Sequence, residues 1–255
     1  MKVIERMKEK GGVLIGMVHC LPLPGTMDKA TEDAHALETA GFDAVLVEAT
    51  MDKPMGMVRG PLQLAAMSVI CGAVHRAVHI PMGVSYLTPD CRDVFSIAKA
   101  SGADFVRITA FVDTLHFPVG TVQPCAVQAW EVRREGNMQD ISILADIQVK
   151  HAELVYPQTT LEQSAYLAQA QGADAIVVTG NATGEETPME TIRRVAKVSK
   201  IPIVVGSGVA PSNVRTQMEL ARGFIVGTSV KQDGNLMAPI DLALASELAR
   251  ARDRG

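Results

Sequence analysis

The sequence predicts an α/β fold, a single (β/α)8 TIM barrel over residues 1–255, in which a short helical segment at 1–12 packs on the barrel. Short aliphatic runs alternate with stretches of helical periodicity along nearly the whole chain. No linker rich in Pro, Gly or Ser interrupts them. Only 4% of the 255 residues are aromatic, so small and branched aliphatic side chains fill the interior, as is typical of parallel strands under helices.

Eight aliphatic runs are the predicted barrel strands. They occupy residues 13–19, 44–49, 81–87, 105–110, 142–147, 175–180, 202–207 and 223–230. The alternative fold, an open doubly wound sheet, needs a glycine fingerprint after its first strand. The motif MVHCLPLPG stands there instead, and its two prolines indicate a rigid loop.

A weak repeat marks alternate strands. The segments AGFDAVLV, SGADFVRI and QGADAIVV enter the second, fourth and sixth strands, and ARGFIV enters the eighth. We expect the glycine of each to end the preceding helix in the left-handed conformation. Asp43, Asp104 and Asp174 precede their strands, so we assign them to turns at the stability face and not to a functional site.

Composition excludes several classes of partner. With 24 basic and 28 acidic residues and a pI near 5.9, the chain has no basic surface for nucleic acid. No apolar run is long enough to predict a transmembrane segment. The four cysteines are widely spaced without a CxxC pair, which predicts reduced thiols and a cytoplasmic location.

Charged residues cluster at the predicted carboxyl ends of the strands, where TIM barrels hold their active sites. The candidate catalytic residues are Lys150, Asp146, Glu48, His19 and Arg107. Buried charges are costly unless they are paired or used. One interpretation is therefore an ion-pair network that fixes the barrel. The other is catalysis, with Lys150 forming a Schiff base or sharing proton transfer with Asp146.

The segment LADIQVKH raises this question most directly. Period-two alternation in a continuing strand would place Asp146, Gln148 and Lys150 on one face. His19, Glu48, Asp146 and His151 could alternatively supply ligands to a divalent metal, although no short metal signature is present. No cofactor is firmly predicted.

The last two strands run into glycine turns, VVGSGVAPSN and IVGTSVKQDG. Exposed backbone N–H groups in such turns suit a phosphate, although tight turns that merely close the barrel are the alternative. The predicted phosphate-binding residues are Gly180, Gly206, Ser207, Gly208, Gly227, Thr228 and Ser229. Lys231 either helps to neutralise the anion or is a solvated surface lysine.

The motifs IGMVHCLPLPG, LADIQVKHA and VVGSGVAPSN together resemble the BtpA family, over about residues 13 to 245. The family is named for a factor needed for photosystem I biogenesis in cyanobacteria. The resemblance implies a TIM barrel related to phosphate-binding barrels. Residues that match the family pattern are His19, Glu48, Asp52, Asp90, Arg107, Asp146, Lys150, His151, Thr179, Gly180, Gly184, Gly206, Ser207, Gly208, Asn213, Gly227, Thr228 and Lys231.

The chain departs from that pattern near strands two to four. The family usually has VEN at the VEA of 47–49, GVNVLRND at 83–90, Asn at Thr109 and DQG at 118–120. The resemblance therefore implies that the anion end at strands six to eight is retained. It also implies either a ligand whose distal part differs or a divergent paralogue with altered or lost catalysis.

Together these features predict an enzyme, a lyase or isomerase that acts on a small phosphorylated, sugar-derived molecule by proton transfer or aldolase-type chemistry. A homo-oligomer is a further expectation for a barrel of this kind. The alternative is a non-catalytic biogenesis or regulatory scaffold.

Overall fold

The computed structural model describes residues 2–23, 27–50, 60–87, 90–180 and 184–254. Its strands in chain order are β1 (Val13–His19), β2 (Ala44–Glu48), β3 (Met82–Ser85), β4 (Phe105–Ile108), β5 (Leu115–Phe117), β6 (Gly120–Val122), β7 (Ser142–Asp146), β8 (Glu153–Leu154), β9 (Ala175–Val178), β10 (Ile203–Val205) and β11 (Gly223–Val226).

Eight of these strands close into a parallel barrel in the order β1-β11-β10-β9-β7-β4-β3-β2, in which β1 pairs with both β11 and β2. Each coincides with one of the eight predicted runs. The predicted (β/α)8 fold is confirmed, and the open-sheet alternative is wrong.

Helices cover the outside of the barrel. They are α1 (Val3–Glu9), α2 (Met27–Thr39), α3 (Pro61–Ala77), α4 (Cys91–Ser101), α5 (Ala126–Glu135), α6 (Leu161–Ala170), α7 (Met189–Ala196), α8 (Val214–Gln217) and α9 (Leu242–Asp253). Several begin at side-chain caps, such as Asp241, which accepts hydrogen bonds from two N–H groups of α9. In the described part of the chain, no helix combines the length and apolar character needed to cross a bilayer.

The N-terminal helix α1 closes one end of the barrel. Its Val3, Ile4 and Met7 are buried in the same cluster as the inward-facing side chains of the strands. A Cβ on Gly223, at the start of β11, would lie 2.6 Å from Met7 Cε. The glycine therefore leaves room for this methionine beneath the barrel.

The repeat on alternate strands has the predicted geometry. Gly41, Gly102 and Gly172 have φ of 93°, 80° and 90°, which is left-handed. The carboxylates of Asp43, Asp104 and Asp174 accept hydrogen bonds from the N–H groups of Leu14 (3.0 Å), Met82 (3.1 Å) and Ile143 (2.8 Å). Each aspartate thus joins the entry of its own strand to a neighbouring strand, at the end away from the candidate site. The weaker fourth copy differs, because Gly223 lies inside β11.

A small antiparallel sheet, which we call the cap sheet, was not predicted. β5 and β6 form a hairpin after β4, and β8 pairs with β5 on its other side. Its apolar face has a cluster of its own, formed by Ala110, Leu115, Val122 and Val149. The alternation of LHF and GTV around Pro118 and Val119 is the signal that could have predicted the hairpin.

The chain after β7 corrects the prediction for LADIQVKH. β7 ends at Asp146, and Gln148 has a positive φ of 43°. The Gln148 N–H donates to Asp113 Oδ2 (2.8 Å), and its side-chain amide donates to the Thr159 carbonyl (3.2 Å). The prediction of one shared face was wrong, because Gln148 points away from the barrel mouth and Lys150 reaches the mouth through a turn.

Candidate functional site

A cavity of about 290 Å³ opens at the carboxyl ends of the barrel strands. This volume is at the lower end of the range for small-molecule pockets. Apolar and polar side chains line it in nearly equal numbers, with four glycines between them. Among the predicted residues, it includes His19, Glu48, Arg107, Lys150, Gly206, Ser207, Gly208, Gly227, Thr228 and Ser229.

Glu48 is the last residue of β2, and hydroxyl groups hold its buried carboxylate. Ser85 donates to one oxygen (2.8 Å) and Thr50 to the other (2.5 Å). Burial alone would raise the pKa of Glu48, but the charge of Arg107, with smaller contributions from His19 and the two hydroxyls, lowers it overall. Glu48 is therefore an ionised carboxylate at neutral pH.

Arg107 and Asp146 form a buried bidentate ion pair. Arg107 Nε and Nη2 donate to the two carboxylate oxygens of Asp146 at 2.8 and 2.9 Å. Burial alone would lower the pKa of Arg107, but Asp146 and Glu48 raise it. Arg107 reaches the cavity, whereas Asp146 is 1% exposed and does not line it. The guanidinium of Arg107 is thus accessible to a ligand, whereas the carboxylate of Asp146 is buried behind the cavity wall.

Lys150 brings a second cation to the cavity. Its N–H donates to Thr179 Oγ1 (3.2 Å), which anchors the backbone of the turn after β7. Burial and the nearby charge of Arg107 lower the pKa of Lys150, and Asp146 and Glu48 only partly oppose this. Among the described residues, Nζ has no hydrogen bond or ion pair. The amine is therefore available to a ligand.

His19, at the end of β1, is neutral at physiological pH. Burial is the main cause that lowers its pKa to about 4, against the opposing effect of Glu48. Its Nδ1 is buried, with no partner in the described ranges. A Cβ on Gly227 would lie 3.1 Å from His19 Cε1, so the glycine lets this turn approach the imidazole.

The two glycine turns present backbone groups to the cavity. Gly208 has φ of 68°, and a Cβ there would lie 2.3 Å from the backbone of Glu185 and Glu186. Within the described segments, the N–H groups of Gly208 and Thr228 have no protein acceptor. Ser229 Oγ is buried and equally unpartnered there. Gly208, Thr228 and Ser229 all line the cavity, close to the carboxyl ends of β10 and β11.

Gly180 is placed behind the turns. Its N–H donates to Ser207 Oγ (2.8 Å), and it does not line the cavity. A Cβ on Gly180 would lie 2.8 Å from the Glu185 carbonyl oxygen. The glycine thus supports Ser207 and the loop over it.

Both interpretations of Lys231 given from the sequence are wrong. Its side chain is fully buried, and Nζ donates to the carbonyls of Leu236 (3.1 Å) and Ala238 (2.8 Å), 3.8 Å from Asp33. Burial is the main cause that lowers its pKa to about 8. Lys231 therefore holds the segment that carries Leu236 to the cavity, and it pairs with the Asp33 carboxylate instead of lining the cavity or facing solvent.

The described residues form no cluster of metal ligands that would support the metal alternative. Asp52 lies outside the described residues, and in the described part of the chain no three His, Cys, Asp or Glu side chains converge as metal ligands would. His151 lines the cavity but is exposed, whereas both Asp146 oxygens bind Arg107. Asp90 caps α4 by accepting from the Arg92 N–H (2.9 Å).

Sequence reasoning missed the residues that support the charged groups. Thr50 and Ser85 were not singled out, because hydroxyls at strand ends are common and Ser85 is 37 positions from its partner Glu48. Asp113 was also missed, although it accepts from the Gln148 N–H and from Ser164 Oγ (2.7 Å) and so fixes the turn before Lys150. Its location in an unassigned loop gave no signal. All four cysteines are free and buried, as predicted.

Fold and site together define a TIM-barrel protein with a ligand-sized cavity at the face where this fold binds substrates. Comparison with known protein families then identifies the family. The chain belongs to the BtpA family, whose model matches residues 10–254. The resemblance stated from sequence is confirmed.

Two relatives span nearly the whole chain. An uncharacterized protein of Pyrococcus furiosus is 38% identical over 251 residues, 94% of each chain. The photosystem I biogenesis protein BtpA of Synechocystis is 31% identical over 255 residues, 95% of this chain and 88% of that protein.

Among solved structures, the barrel is similar to (S)-3-O-geranylgeranylglyceryl phosphate synthase from Thermoplasma acidophilum in complex with its substrate sn-glycerol-1-phosphate. The TM-score is 0.67 at 16% identity, and the similarity covers 98% of both chains. At this identity, the similarity shows the fold alone.

Proposed function

We propose that this protein is an enzyme that acts on a small phosphorylated molecule, by proton transfer next to a carbonyl or by lyase chemistry. The observation that carries the proposal is a half-buried Lys150, whose amine has no partner among the described residues. It lies in the same cavity as Gly208 and Thr228, whose N–H groups have no acceptor among those residues either. The first can perform chemistry, and the second can hold an anion.

The turns after β10 and β11 are assigned to the phosphate. Unpaired N–H groups that face a cavity favour an anionic acceptor, because a buried donor without a partner costs about 1–3 kcal/mol. The similar synthase is in complex with a phosphorylated substrate, sn-glycerol-1-phosphate, which is consistent with this assignment.

Lys150 is assigned the chemical step. A lowered pKa increases the fraction of neutral amine, which can abstract a proton or attack a carbonyl to form a Schiff base. Arg107 then stabilises negative charge on the carbonyl oxygen, and Asp146 positions Arg107. Glu48, ionised and held by two hydroxyls, can receive or return a proton near Lys150, and neutral His19 can hydrogen-bond to the ligand.

Phosphate binding tests the anchor. Inorganic phosphate should raise the melting temperature of the wild type, because a ligand bound only by the folded state stabilises it. Ser229→Asp should abolish this rise by adding a negative charge to the turn, and Ser229→Asn, of nearly the same shape, should preserve it. An equal response of the two variants would refute the anion site.

Hydrogen exchange tests the chemistry without knowledge of the product. We expect the protein to catalyse incorporation of deuterium from D2O at carbon next to a carbonyl in at least one member of a phosphorylated aldehyde and ketone panel that includes dihydroxyacetone phosphate. Proton NMR measures the loss of signal. Lys150→Met, which removes the amine but retains the aliphatic stem, should stop the exchange, and unchanged exchange would remove Lys150 from the mechanism.

The second candidate is a non-catalytic scaffold for photosystem biogenesis or regulation, which similarity to the photosystem I biogenesis protein BtpA of Synechocystis favours. A scaffold does not require a free amine in the cavity. If Lys150→Met leaves growth and photosystem content unchanged in a cyanobacterial strain that depends on this chain, the scaffold explains the protein better than the enzyme.

A further inference from the structure

The anion turns and the cap sheet face each other across the barrel mouth. In the closed order of strands, β11 is opposite β4 and β10 is opposite β3. The glycine turns follow β10 and β11, and the β5–β6 hairpin of the cap sheet follows β4. A ligand anchored by its phosphate at the turns therefore directs its other end towards the cap sheet.

The cap hairpin has one apolar and one polar face. Cross-strand pairing places His116 opposite Thr121, and these polar side chains meet on one face, where His116 Nδ1 is 3.1 Å from Thr121 Oγ1. Phe117 and Val122 alternate to the opposite face and line the cavity. The hairpin therefore presents hydrocarbon to the ligand and its hydrogen-bonding groups to the outside.

Neighbouring residues extend this apolar wall. Val119 at the hairpin turn, Val149 before Lys150 and Leu87 after β3 also line the cavity. Val119 remains 47% exposed, so an apolar surface stands open at the mouth. Gly120 pairs with Phe117 across the hairpin, so no side chain of the partner strand covers the phenyl ring.

We infer that the ligand joins a phosphate to a compact apolar or aromatic group that packs on the wall formed by Leu87, Phe117, Val119, Val122 and Val149. This inference rests on the proposed function and specifies its substrate class. A polyhydroxylated sugar at this wall would give up hydrogen bonds to water without replacement, which is unfavourable. The polar groups of Arg107, Thr109 and Lys150 are then left for the reacting centre between the two ends.

Direct binding measurements with three probes test the inference. Calorimetry should show 2-phenylethyl phosphate binding at least about tenfold more tightly than ribose 5-phosphate, a molecule of similar size, because only the phenyl group gains from apolar burial. Binding of inorganic phosphate measures the contribution of the turns after β10 and β11 alone. Comparable binding of the two esters, or tighter binding of the sugar phosphate, would overturn the inference.

Substitutions in the apolar wall test whether the cap sheet causes the preference for the phenyl ester. Phe117→Ser should weaken binding of 2-phenylethyl phosphate by about tenfold and leave inorganic phosphate unchanged. Val119→Thr, at an exposed position where folding is not at risk, should weaken it less, in the same direction. The matched control is Val127→Thr on the outer face of α5, where the valine is 67% exposed, and it should bind like the wild type.

The outcomes separate this inference from the proposed function. If no phosphate-bearing probe binds, both fail. If inorganic phosphate and ribose 5-phosphate bind but the phenyl group gives no advantage, only the apolar class is wrong. A preference for 2-phenylethyl phosphate that survives both Phe117→Ser and Val119→Thr would also overturn the assignment to this wall.

Discussion

Replacing His19 by glutamine tests the burial of a neutral imidazole in the wall of the cavity. Burial lowers the pKa of His19 from its ordinary 6.5 to about 4, with Lys231 and Lys29 assisting and Glu48 opposing. Between these two values, the unfolded chain binds a proton that the folded protein does not. Stability is therefore fully present above the ordinary pKa and is lost as the pH falls towards 4.

The size of this loss follows from the two pKa values. Each pH unit between the two pKa values corresponds to about 1.4 kcal/mol. Protonation of His19 in the unfolded chain should therefore lower the unfolding free energy of the wild type by about 2 kcal/mol from pH 7 to pH 5. Glutamine has no proton to gain, so the loss for His19→Gln over the same interval should be smaller by that amount. Urea unfolding followed by circular dichroism at the two pH values measures the difference.

An exposed histidine gives the control. His35→Gln, on the solvent side of α2, should retain the pH dependence of the wild type. If His19→Gln loses as much stability from pH 7 to pH 5 as the wild type does, the imidazole is not held neutral and the electrostatic description of this wall is wrong.

Three further substitutions test packing and charge, each by denaturant unfolding. Asp146→Asn should destabilise the fold by about 3–5 kcal/mol, because it removes the carboxylate that pairs bidentately with the buried Arg107 guanidinium; a loss under about 1 kcal/mol would contradict the ion pair. Gly208→Ala should cost clearly more than Gly172→Ala, since both glycines have positive φ but only a Cβ at 208 would meet backbone, at 2.3 Å. Equal costs would show that the loop over Gly208 moves freely. Met7→Ala should cost about 2–5 kcal/mol by opening a cavity under the barrel, and a neutral result would place α1 outside the core.

The architecture could be predicted from the sequence because it depends on local patterns. Aliphatic runs of strand length predicted the barrel strands, and the Gly-Ala-Asp and Gly-Phe-Asp repeats predicted the turn geometry at Gly41, Gly102 and Gly172. Most candidate residues at strand ends line one cavity for a similar reason, since parallel strands bring their carboxyl ends to one rim, whereas Asp146 and Gly180 lie behind its wall.

An ion-pair network was one interpretation of the charged strand ends, but the sequence did not specify which distant residues pair. The pairing of Asp146 with Arg107 depends on the register of β4 against β7, which the sequence does not specify. The turn at Gln148 depends on Asp113, 35 positions earlier. The sequence alone does not show whether the Lys231 side chain contacts an anion, solvent or buried carbonyl groups. The path of the 235–240 segment decides this.

The aspartates before β2, β4 and β9 have a consequence for how the chain can be divided. Their hydrogen bonds join β1 to β2, β3 to β4 and β7 to β9, each within one contiguous stretch of sequence. A break introduced between α5 and β7 separates none of these couples. Two fragments made there should reassemble more readily than fragments cut between β1 and β2, where the Leu14–Asp43 bond would have to form between separate molecules.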